Sequence, residues 1–295
     1  MTSKIDGAGP PSVRPAEPDL GAHAPVRIRT KRRRRVGVRL AGTWLALVIS
    51  VALLADVLPL ANPTVNITPA ESAPFSAWPE FLGTDRLGRS VLSRLAHGAQ
   101  VSLLIGVLAT VFGMVAGVAM GMLSAVRPAS DFVLGSLTDS LLAVPGVVLL
   151  LALGATMGAG LTPLVLGLAL YAMPSFARLA RGTTRTVHGR PHVQAAQVMG
   201  AGQLRILARE ILPAVLRPVI AYSVVVLASL IVAEASVSYL GLGVPPPTPT
   251  WGGMISDGQS SLDQAPYLVL VPAAVLFITV LSLGVLGRSS RRGNS

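Results

Sequence analysis

Cysteine is absent from the 295 residues, which removes disulfides, thiolate metal sites and cysteine nucleophiles at once. Lysine is nearly absent: only Lys4 and Lys31 occur, and neither follows a glycine. A phosphate-cradling loop ending in Gly-Lys-Ser/Thr is therefore missing, so the chain carries no ATP-hydrolysing site of that kind. Histidine is scarce. His188 and His192 have the spacing of a helical metal pair, but Pro191 lies between them and disfavours a regular helix, so a solvated loop is the better reading. The Ser and His residues are too scattered for a hydrolase triad. No enzyme activity, metal or cofactor is expected.

Charge is also in short supply, at 13% of residues against about a quarter in soluble domains. What stands in its place is apolar length. The composition is 52% hydrophobic, and six runs approach the roughly 20 residues needed to cross a bilayer, at 38–60, 101–125, 133–154, 162–180, 219–240 and 267–287. Open sheets would leave backbone groups unpaired in lipid, so these runs are helices. The expected fold class is an all-α polytopic membrane protein with six transmembrane helices. No internal repeat is evident, and an inverted-repeat transporter has no positive support.

The net charge of +11 does not indicate nucleic acid, because its distribution follows topology. With a cytoplasmic N-terminus, all 24 lysines and arginines except Arg86, Arg89 and Arg94 fall in or beside cytoplasmic segments. Both termini and the basic 181–218 loop are then cytoplasmic. Residues 1–37 read as a disordered basic tail whose Lys31–Arg35 run meets anionic lipid, 61–100 as an extracytoplasmic segment, 101–287 as the core and 288–295 as a second tail. The first run is long and lacks a clean small-x-small site, which argues against a cleavable signal.

Within the second run, Ala109, Gly113, Gly117, Gly121 and Ala125 recur every fourth residue and put a small stripe on one helix face, suited to close helix packing. Asp139, with Pro145 nearby, and Glu234 place acids inside apolar runs. Such groups either line a wet path or bond a neighbouring helix, and the second reading is preferred. In the 181–218 loop, Gln194–Met199 are good helix formers interrupted by Gly200, and a second helical piece over about 203–212 is expected to stop at Pro213. Two short helices joined at a glycine make a knob that projects from the membrane. The 241–266 segment is Pro-rich, with Pro245–Pro247 stiffening an extended path and Trp251 suited to an interfacial anchor.

The knob Gln194-Ala195-Ala196 through Gly200, with Ile211-Leu212-Pro213, resembles the EAA motif of permease subunits of bacterial ATP-binding-cassette importers. Gly83-Thr84-Asp85-Arg86-Leu87-Gly88-Arg89 and Leu240–Gly252 resemble two outer segments of the dipeptide/oligopeptide/nickel branch, and Asp139 and Pro145 fit its third span. In order, these cover about residues 38–287 and are closest to the C-type dipeptide permease. Gln194 departs from the family pattern, which carries an acid there, and the acidic C-terminal tail is missing. The resemblance implies a type I importer permease fold in the bacterial cytoplasmic membrane, forming half of a translocation path for dipeptides or oligopeptides, or alternatively nickel. It further implies a second homologous permease, two cytoplasmic ATPase subunits and an extracytoplasmic substrate-binding protein, with residues 192–204 as the ATPase-coupling helix. An ion-coupled secondary transporter is the competing class; it would place an ion site at Asp139 or Glu234.

Overall fold

The computed structural model describes residues 29–66, 70–75, 81–126 and 128–293. Residues 1–28, most of the expected tail, lie outside them, as do Arg127 and the last two residues. Among the described residues there is no strand, only an isolated bridge between Thr84 and Ser90.

Helix α1, Arg29–Leu54, begins within the segment expected to be a disordered tail, because the basic run continues the helical path of the apolar residues behind it. It lies along α10, Tyr267–Gly293, where the Trp44 indole donates to Thr279 Oγ1 at 3.1 Å. Helix α2, Val91–Val126, has 36 residues, about 54 Å at 1.5 Å per residue. That length exceeds the hydrocarbon core, so the polar Val91–Gln100 piece is the first three turns of the span rather than a separate element.

Helix α2 packs most extensively against α5, Leu161–His188, and the small stripe is the reason. A Cβ on Gly113 would sit 2.9 Å from the Ala169 carbonyl, and one on Gly117 2.5 Å from that of Met173. One on Gly121 would meet the Ala177 carbonyl. The carbonyls step by four along α5 as the glycines step by four along α2, so the backbones touch. Around this seam the core gathers Ile105, Leu168, Phe176 and Leu230, and the Phe176 and Tyr222 rings meet edge to face at 5.7 Å.

The third expected span is broken. Helices α3, Pro128–Ala143, and α4, Gly146–Met157, meet at a bend of 93°. Pro145 lies in the break with extended backbone, has no N–H to continue the ladder of α3, and its carbonyl accepts from Val148 and Leu149 to start α4. Among the described residues, five helices are long and apolar enough to cross a membrane, or six when this bent pair counts as one span.

Beyond α5 come α6, Pro191–Val198, and α7, Gln203–Ile206, then a π turn, Leu207–Ile211, leading directly into α8, Leu212–Tyr239. Pro213 therefore does not stop a helix, contrary to the sequence expectation. It sits in the first turn of α8, where its missing N–H costs least, and the π turn just before it absorbs the irregularity. At the far end of α8, the chain folds back as α9, Trp251–Gly258, capped by the Thr250 hydroxyl accepting from Gly253 N–H at 3.0 Å.

Candidate coupling knob and outer cavity

The two ends of the bundle carry different chemistry. At the end where α5 stops, Gly189 ends the helix and Pro191 opens α6 at its first position, so His188 and His192 stand on separate elements. Gln197 Nε2 lies 3.2 Å from His188 Nε2 and ties α6 back to α5. Gly200, at φ +82°, turns the chain between α6 and α7 in a left-handed conformation that glycine adopts without strain. A Cβ there would meet nothing within 4 Å, so backbone conformation rather than space selects glycine.

This geometry divides the candidate residues. Gln194 and Ala195 are exposed, Ala196 is half-buried, and Gln194 Nε2 reaches only the Gly189 carbonyl, at 3.4 Å. Ile211 is fully buried and Leu212 packs against the core, so they anchor the knob from behind; Pro213 is exposed. Val193 and Ile206 complete that rigid base. The tip is apolar: Val198 is 89% exposed, Met199 81% and Leu204 79%. These three were not singled out from the sequence. Their signal was three large apolar residues flanking a turn glycine in an otherwise basic loop.

Asp139 and Glu234 have different environments. Glu234 is fully buried on α8 and its Oε1 accepts from Ser238 Oγ at 2.7 Å, with the Ser102 hydroxyl beside it. Asp139 does not face the bundle interior of this chain: it is exposed and pairs with Arg178 of α5 at 2.9 Å. Asp131, in the first turn of α3, is clasped by Arg181 and by Arg185, the latter at 2.7 Å. These pairs hold the flanking helix α3 against α5.

At the opposite end, the Gly83–Ser90 turn is built around Asp85. Its Oδ1 accepts from Leu87 and Arg89 N–H, both at 2.9 Å, and its Oδ2 accepts from Arg89 Nε at 2.6 Å. Arg94, nearly buried on α2, lies 3.5 Å from Asp85 and bonds Asp257 of α9 at 3.2 Å. The Tyr267 hydroxyl donates to the Ser72 and Thr84 carbonyls, fastening this outer segment to α10. Trp251 is not an interfacial anchor. It is fully buried, donates through Nε1 to the Leu95 carbonyl at 3.2 Å, and fits there because Gly98 of α2 and Gly252 leave room against α2 and α8.

A bent third span, a seam of close-packed long helices and a short two-helix knob at one end define a helical permease of the type I importer class. The inward-facing MetNI methionine ABC transporter shares this fold, with a TM-score of 0.55 at 21% identity over 68% of this chain and 95% of that one. Residues 109–292 match the family described as binding-protein-dependent transport system inner membrane component. The chain is 34% identical over 254 residues to the glutathione transport system permease protein GsiD of Pectobacterium atrosepticum (85% of this chain, 84% of the relative). It is 36% identical over 212 residues to the di/tripeptide transport system permease protein DppC of Pseudomonas aeruginosa (71% and 70%). The chain belongs to the family of binding-protein-dependent inner membrane components and is a permease subunit of an ABC importer.

Proposed function

We propose that this permease carries short peptides inward, as one half of a path completed by a second homologous permease. Two cytoplasmic ATPases would drive it and an extracytoplasmic binding protein would deliver the solute. The observation that carries the coupling is the knob: an exposed apolar tip of Val198, Met199 and Leu204 on a base of buried Val193, Ile206 and Ile211. Apolar side chains that none of the described residues covers are suited to a cleft in a partner, and a rigid base lets movement of that partner reach α5 and α8. The distribution of arginines supports a cytoplasmic knob end, with both termini on that side and the α9 end outside. Gln194, neutral where the EAA motif that this loop resembles has an acid, would offer the ATPase a hydrogen bond rather than an ion pair.

The peptide assignment is supported by the two relatives, whose names specify glutathione and di/tripeptides. Uptake of labelled dipeptide, longer peptide and nickel in a strain lacking this chain tests it. Loss of peptide uptake, restored by the intact chain, is expected; loss of nickel uptake alone would reassign the substrate.

A further inference from the structure

Between the Gly83–Ser90 turn, the start of α2 and α9 lies a cavity of about 530 Å³ that no step above uses. Its wall carries Arg86, Arg89 and Arg94 against Asp85 and Asp257, three guanidiniums to two carboxylates. Its floor is apolar, formed by Val91, Met254 and Leu268. The volume falls within the range of small-molecule sites.

Glu71, 4.0 Å from Arg86 at the edge of this wall, balances the third guanidinium, so what the cavity offers is donors rather than net charge. Asp85 is committed to the turn: both its oxygens accept from Arg89, and Oδ1 also accepts from Leu87. Arg89 is buried, its Nε is held by Asp85, and its Nη2 lies 3.8 Å from Asp257, too far for a hydrogen bond. Asp257 is half-exposed and already bonded to Arg94. The guanidinium of Arg89 therefore presents Nη donors without a hydrogen bond to any described residue, beside an apolar floor.

We propose that this cavity receives a carboxylate: the C-terminal carboxylate of a solute released at the outer face, forked by the Arg89 Nη groups with its terminal side chain on the Val91–Met254–Leu268 floor. The identity of the solute rests on the peptide reading above; the carboxylate chemistry does not.

The test uses the assembled transporter of both permeases and the ATPases, in nanodiscs without binding protein, titrated with Ala-Ala and with Ala-Ala-amide. The free acid binds several-fold more tightly than the amide. Asp257→Asn removes the competing carboxylate and raises that ratio about threefold, whereas Arg86→Gln, at an exposed wall position, lowers it about threefold, as expected for partly screened charges. Arg89→Lys keeps the charge but loses the fork and also lowers the ratio. A wild-type ratio of one, no binding of either compound, or a ratio unmoved by the Asp257 and Arg86 variants overturns the proposal. With binding protein restored, variants that slow uptake of acid and amide equally would assign the arginines to protein docking and also overturn it. Peptide uptake without acid selectivity sinks this inference alone; acid selectivity without peptide uptake sinks the peptide reading alone.

Discussion

Replacing Met199 by serine isolates the docking role of the knob from its folding. The side chain is 81% exposed, and its residue is held through the backbone by Met199 N–H donating to the Ala195 carbonyl at 3.0 Å, which the substitution leaves intact. Fold stability should therefore change by no more than about 0.5 kcal/mol. If the side chain is buried in an ATPase cleft, its removal forfeits about 2 kcal/mol of apolar burial. That is about a thirtyfold weaker association of the ATPase subunits. The measurement is titration of the ATPases onto the purified permease pair, with ATP hydrolysed per solute transported as a second readout. Val57→Ser is the control: Val57 is 79% exposed at the opposite end of the bundle and should leave ATPase affinity unchanged. Met199→Ser affinity within twofold of wild type, with normal coupling, would refute the assignment of the tip as a docking surface.

Gly200→Val forces a β-branched residue to φ +82° and should cost at least about 1–2 kcal/mol locally. Transport should fall relative to ATP hydrolysis while membrane levels hold; unchanged coupling would argue against a fixed knob. Gly117→Leu drives a side chain into the Met173 carbonyl and Phe176, so thermal unfolding of the purified permease should drop by the equivalent of about 3 kcal/mol or more. A melting temperature like wild type would mean α2 and α5 are not in backbone contact. Glu234→Gln keeps the shape and the bond from Ser238, so uptake should survive it, whereas Glu234→Leu leaves the Ser238 hydroxyl facing an apolar group and should lower stability by about 1–3 kcal/mol. Abolished uptake in stably folded Glu234→Gln would restore an ion-path role for that acid.

Several features were legible in the residue order because they are local. Apolar length specified the helices, and the glycine period on α2 named the face that α5 covers, since spacing along one helix fixes which side chains share a side. Gly200 marked the turn through its own backbone preference, whereas Pro191, read locally as a helix breaker in a loop, opens α6. Other features depended on what lies across the gap. Pro213 reads locally as a stop, but the π turn and the buried Ile211 carry the chain through it into α8. Trp251 reads as a membrane-surface anchor, but room beside Gly98 and Gly252 takes it into the core. Asp139 and Glu234 look alike in sequence, each an acid in an apolar run. Only packing separates an exposed partner of Arg178 from a buried acceptor of Ser238.

By itself, then, the sequence determined the class of the molecule, most of its helices and the place of the knob. These follow from composition and from preferences that each short segment carries with it. The tertiary structure alone decided which faces of the knob are anchor and which are tip, how the third span bends, and that Arg89, Arg94 and Asp257, up to 168 positions apart, share one cavity. The physical reason is that burial and charge pairing belong to the space between elements, and no segment contains its own neighbours.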